Sequence, residues 1–193
     1  MKRIPTIPTI IVLAAVAVML RLGFWQIDRM HQKEALLAKY AAVQGSTVLV
    51  PWPSAGTDRG ALEYRRTSVD CTNVLGITEQ AGQNTAGEPG WAHIAKCETG
   101  QGYARAEIIL GWSDSPKPPV WSGGIASGTF LMRGQYAARI VADPPLAGLQ
   151  GNARPDPANI PNNHFAYAVQ WFLFAGVALV IYALALRKRL RGQ

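Results

Sequence analysis

Two stretches of this chain depart from the rest in how hydrophobic and polar positions alternate. From Phe165 to Leu186 it reads FAYAVQWFLFAGVALVIYALAL, 22 residues without a formal charge. As a helix that length extends about 33 Å, enough to cross the hydrocarbon of a bilayer. Gln170 is its only strongly polar side chain, and RKRLR follows at once, which predicts a transmembrane helix whose C-terminal end stays in the cytoplasm. The other stretch is residues 4–20, where Pro5, Thr6, Pro8 and Thr9 precede IIVLAAVAVML; Arg21 then interrupts and LGFW resumes. Proline near a helix start loses no needed N–H, Arg21 can snorkel to the interface, and Trp25 suits an aromatic belt. A cleaved signal peptide is the competing reading of a basic start before an apolar core, but VMLRLGFW offers no small-x-small cleavage site.

Between the two spans the texture changes. Gln26 to Ala42 is rich in helix formers and lacks Gly and Pro, so it predicts a helix continuing from, or hinged on, the first span. Beyond Gly45, β-prone pieces alternate with Gly and Pro clusters: STVLV, YRRTSVDCTNV, WAHIAKCET, YARAEIILGW and GTFLMRGQYAARIVA. They predict five to seven strands. GITEQAGQNTAGEPG reads as a loop or a long hairpin arm and SPKPPVWSGG as a loop, while the proline-rich stretch from Asp143 to Pro161 reads as an extended connector. The expected architecture is an α+β membrane protein, with two transmembrane helices flanking an extracytoplasmic, mainly antiparallel β domain that could close in a barrel-like way. Its divisions are 1–25 for the N-terminal transmembrane helix, 26–163 for the periplasmic β-rich domain with an N-terminal helix, 164–187 for the C-terminal transmembrane helix and 188–193 for a basic cytoplasmic tail.

The net charge of +7 fits this picture once it is located. All twelve acidic residues lie between Asp28 and Asp156, where twelve Lys and Arg balance them. The excess is Lys2, Arg3 and Arg21 at the front and Arg187, Lys188, Arg189 and Arg191 at the back. Basic residues that abut apolar runs are a topology signal rather than a nucleic-acid patch on a folded body, and they place both termini in the cytoplasm. For a bacterial chain this means a two-pass inner-membrane protein with its central domain in the periplasm. Such a compartment permits a Cys71–Cys97 disulfide without requiring it. Two cysteines with no C-x-x-C or C-x-x-C-H run cannot make a Cys₄ zinc site or a covalent haem attachment.

No catalytic motif stands out: G-x-S-x-G, the P-loop and H-E-x-x-H are all missing, and GQGYAR only begins like a dinucleotide fingerprint. An enzyme is therefore not the expected function. Of the histidines, His31 falls in a charged helix and reads as solvated, and His93 reads as a half-buried, hydrogen-bonded strand residue. His164 is different, because it stands one residue before the charge-free span with Asn162 and Asn163 ahead of it as helix-cap candidates. On a helix His164, Tyr167, Ala168 and Trp171 share one face. That stripe is either an interfacial anchor or a place where an imidazole could serve as an axial haem ligand beside aromatic walls.

At these residues the chain resembles a family, the surfeit-locus assembly factors of cytochrome c oxidase. LGFWQIDRMHQKEALL is similar to the family's segment closing the first span, with Leu22, Gly23, Trp25, Gln26, Arg29 and Lys33 in place. YRRTSVD, EPGWAHIAKC and IILGWSDSP resemble its central strand blocks. PNNHFAYAVQWFLFAGVALVIYALALRKR is similar to its Asn-x-His-x-x-Tyr-x-x-x-Trp opening of the second span. Two departures stand in the middle: Leu110 precedes Gly111–Trp112 where the family usually has Arg, and Ser113 and Asp114 follow where a Pro is usual.

The resemblance implies a non-enzymatic factor that binds haem A transiently and helps it reach the catalytic subunit of the oxidase. It carries His164 over as axial ligand to the haem iron, with Tyr167 and Trp171 shaping the pocket. The partners it implies are the oxidase catalytic subunit, the membrane and haem A synthase. The alternative is a membrane scaffold that stabilises the nascent oxidase subunit by protein contacts and never binds haem.

Overall fold

The computed structural model describes residues 5–54, 56–100, 102–136 and 138–192, so Lys2 and Arg3 of the expected N-terminal flank lie outside the described residues. The elements are α1 (Thr6–Val43), β1 (Leu49–Val50), β2 (Arg66–Gln83), β3 (Pro89–Thr99), β4 (Arg105–Ser113), β5 (Gly124–Leu131), β6 (Arg139–Ala142) and α2 (His164–Arg191), with 3-10 turns at Arg59–Leu62 and Pro157–Asn159. They form two compact units, Met1–Ala38 with Ile160–Gln193, and Lys39–Asn159.

The first span and the charged segment after it are one unbroken helix, because nothing between Leu20 and Val43 breaks a helix. Likewise α2 runs to Arg191, and Gly192 closes it in the left-handed conformation. Lys188, Arg189 and Arg191 occupy its last turn, where cations favourably meet the negative end of the helix dipole. Asn163 is the N-cap of α2 but its side chain makes no capping bond. Both helices are long and apolar enough to cross a membrane, and almost none of their apolar surface is buried inside the protein. That separates them from core helices, which hide such faces against the rest of the fold.

In the other unit, six strands form a mixed sheet in the order β1-β2-β3-β4-β6-β5, and β2 also pairs with β5. The long strand β2 explains this double pairing. Arg66 to Cys71 runs antiparallel to β5, and Cys71 to Gln83 runs antiparallel to β3. Beyond Cys71 no strand among the described residues continues on the β5 side, so the sheet curls back on itself without sealing as a closed barrel. GITEQAGQ is the outer arm of β2 rather than a loop. Most pairings are antiparallel, but β1–β2 and β4–β6 are parallel. Gly128 lets β5 approach β6, since a Cβ there would stand 1.9 Å from the Val141 carbonyl oxygen.

The core gathers Val69, Ile108, Leu110, Phe130 and Ile140 around a Cys71–Cys97 disulfide, and Trp52 meets Phe130 edge-on at 5.8 Å. Glu107 and Arg139 face each other across the parallel β4–β6 pair, joined through Nε at 2.9 Å and Nη2 at 2.5 Å, while the Gln135 N–H donates to the second carboxylate oxygen. A carboxylate buried without such partners would be costly, and these donors supply them. His93 is fully buried rather than half-buried; its Nε2 meets Ser113 Oγ at 2.8 Å, whose own proton goes to the Ser115 carbonyl. His31 is exposed beside Glu34. The stretch from Asp143 to Pro161 is not a free connector. Gln150 bridges to Trp112 and Asn152 to Asn84, which straps it along the sheet.

Glu63 is the buried carboxyl with the least support. Burial pushes its pKa up, against the Met132 N–H that donates to it at 2.5 Å and the nearby Arg133 charge, which pull it down. The folded chain therefore holds this proton to a higher pH than the unfolded chain does. The contribution is fully present below the ordinary glutamate range and is lost as pH rises through the raised value. Glu63→Gln, whose amide oxygen can still accept from Met132, is expected to flatten that slope. Thermal unfolding of the detergent-solubilised chain across pH 4–8 checks it: the variant should gain on the wild type as pH rises, and a gap that stays constant would contradict the assignment.

Candidate functional site

The two long helices pair within one unit, and the pairing can be read residue by residue. On α1 the less exposed positions include Thr9, Val12, Val16, Met19, Gly23 and Gln26; on α2 they include His164, Ala168, Trp171, Ala175, Ala178 and Tyr182. Steps alternating between three and four residues are the repeat of a coiled-coil seam. Three contacts give the direction. The Thr9 and Tyr182 hydroxyls share a hydrogen bond, Phe172 lies over Gly23, and His164 meets Gln26. The helices are antiparallel. A Cβ on Gly23 would stand 2.6 Å from the Phe172 ring, so this small residue lets the ring settle against α1, where it also meets Phe24 edge-on at 5.3 Å.

His164 is the first residue of α2, and its Nδ1 lies 2.7 Å from Gln26 Oε1. An amide oxygen only accepts, so Nδ1 carries the proton. With the Nδ1 hydrogen committed to Gln26, the lone pair that can bind a metal is the one on Nε2. The contact fixes the imidazole from the opposite helix, at a helix start where the Asn163 side chain makes no capping bond. Of the aromatic residues sharing its predicted face, Trp171 is half-buried and packs edge-on with Phe174 at 6.2 Å. Tyr167 is half exposed and is not drawn against His164. The predicted stripe is thus split, with His164, Ala168 and Trp171 along the seam and Tyr167 turned outward.

Nearby on α1, Arg21, Leu22, Phe24, Trp25 and Asp28 line a shallow groove of about 570 Å³, with Phe24 and Trp25 largely exposed. No group of three or more His, Cys, Asp or Glu among the described residues could enclose a bare metal ion. A porphyrin asks for less, because it brings four nitrogens and needs only an axial donor from the protein. An imidazole held through Nδ1 by Gln26, with Nε2 left to donate its lone pair, fits that requirement.

Gln26 is the residue whose role the sequence pattern did not assign. The signal was present: it is an uncharged polar side chain on the α1 seam, at the height where an antiparallel partner must begin. If Gln26 sets the ring, nitrogen NMR of histidine-labelled protein in micelles should find neutral His164 protonated at Nδ1, and Gln26→Leu should abolish that preference. A ring protonated at Nε2, or one indifferent to the substitution, would remove Gln26 from the site.

Comparison with known proteins agrees with this organisation. The model of the SURF1 family matches residues 13–120, more than half of the chain, covering α1 from residue 13 onward and the strands β1 to β4 and ending before α2. No curated protein matches the chain in a direct sequence comparison. With the family matched across most of α1 and much of the sheet, the chain belongs to the SURF1 family, whose members are assembly factors of cytochrome oxidase.

Proposed function

We propose that this protein holds haem A during cytochrome oxidase assembly, with His164 as axial ligand, and passes it to the oxidase catalytic subunit. The observation that carries this reading is the Gln26–His164 hydrogen bond, which leaves Nε2 free and fixed in direction. Trp171 and the exposed ring of Tyr167 would flank the macrocycle, and the lipid-facing helices suit an apolar cargo. A single axial bond with no covalent attachment also suits transfer: a carrier must release what it holds. Haem A synthase would be the donor. The factor itself catalyses no bond change in this scheme.

The topology follows from the same reading. Basic clusters at both ends support cytoplasmic termini and a β unit in the periplasm of a bacterial inner membrane. The Cys71–Cys97 disulfide supports that side, since disulfides persist in oxidising compartments.

A second reading has its own observation. Val120, in the proline-rich loop after β4, is 97% exposed, and Ile125 on β5 is 72% exposed. Such residues suit protein contacts, and a scaffold built on them would stabilise the nascent subunit without haem. The two readings differ at His164. Protein purified in mild detergent from cells that make haem A should show a haem a absorption band near one equivalent, and His164→Ala should lose most of it while still inserting. A colourless wild type would favour the scaffold.

A further inference from the structure

The β unit carries a cleft of about 680 Å³ that the assembly reading does not use. Its walls are β2 and β5 at Arg66 and Thr129, the end of β6 at Asp143, and the returning strap at Asn152 and Arg154. Its only charged lining residues are Arg66, Arg154 and Asp143, so the cleft carries one positive charge in excess. The two guanidinium groups are not equally committed. Arg66 donates to the Asp143 carbonyl at 2.5 Å and lies 3.5 Å from its carboxylate, whereas Arg154 stands at 3.9 Å, the outer limit of an ion pair, with 82% of its side chain exposed. Its planar fork of donors is largely unspent.

Two further observations point the same way. The Nδ2 group of Asn152 is buried without an acceptor, a cost that native structures rarely carry without reason. Tyr64, also on the wall, holds a left-handed backbone at φ 62°, which a bulky residue adopts only when its surroundings impose it. Its N–H is bound to the Phe130 carbonyl, and its ring is held against Tyr40 at 5.1 Å. The cleft thus has an orphaned donor and a weakly committed guanidinium on its lining residues, a positive charge in excess, and a strained residue in its wall.

From this we infer that the cleft is a binding site for an oxyanion, a carboxylate or phosphate group, gripped by Arg154 and Arg66 in competition with Asp143. The competition makes the site testable in both directions. The full-length protein in a neutral detergent is titrated calorimetrically at low ionic strength with inorganic phosphate and with succinate. One saturable site is expected for at least one probe, and the tighter probe identifies the group. Arg154→Gln, at an exposed position, should weaken binding at least tenfold. Asp143→Asn should tighten it severalfold, a gain that misfolding cannot mimic. Arg105→Gln, whose side chain lies over the Tyr136 ring away from the cleft, should change nothing. Absence of saturable binding to both probes, or wild-type affinity in the Arg154 and Asp143 variants, would overturn the site. Because neither probe contains iron or porphyrin, the result is independent of whether His164 binds haem.

Discussion

The hydrogen bond from His164 to Gln26 is the contact on which the candidate site depends. It joins the start of α2 to the point on α1 where the apolar run gives way to charged helix, so it fixes the register of the antiparallel pair at its polar end. At the other end the Thr9 and Tyr182 hydroxyls do the same, with Phe172 over Gly23 between them. In a bilayer, apolar faces gain little by meeting each other, since lipid tails are equally apolar. Pairing then relies on close packing and on polar contacts such as these. The same bond that aligns the helices also decides which imidazole nitrogen is free, which couples helix register to ligand chemistry.

The β unit solves a different problem. Its 121 residues from Lys39 to Asn159 bury a core of their own, and the fold shows three means of supporting it. A long bent β2 serves two neighbours, a disulfide crosses the core, and the strap from Gln150 to Asn152 is pinned to the sheet. The parallel β4–β6 pair, which lacks a hairpin to hold it, has the Glu107–Arg139 ion pair across it.

What was legible in the sequence follows from how local each signal is. The α2 span is a run of 22 uncharged residues, and such a run has no reading as another element. The strand pieces were visible through Gly and Pro punctuation. Their neighbours were not, because the parallel pairings β1–β2 and β4–β6 and the handover of β2 from β5 to β3 are long-range choices that no short window carries. GITEQAGQ left its state open because it is a polar, exposed arm with few apolar positions to alternate. The strap reads as a free connector in sequence because its support comes from single bridges instead of a ladder. For the site, helical spacing placed His164, Tyr167 and Trp171 on one face, but only the partner helix determines which of them it covers. Gln26, 138 residues away, could not be matched to His164 until the two spans were known to be antiparallel.

We propose that His164, oriented by Gln26, carries the haem that the oxidase receives. The most direct measurement is the haem a content per oxidase catalytic subunit in membranes of a strain lacking this protein, complemented in turn with wild type, Gln26→Leu and His164→Ala at matched levels. The account predicts full content with wild type, a partial loss with Gln26→Leu and the largest loss with His164→Ala, with the subunit polypeptide still made in each case. Equal haem a content in all three strains, against a deficient uncomplemented strain, would contradict it.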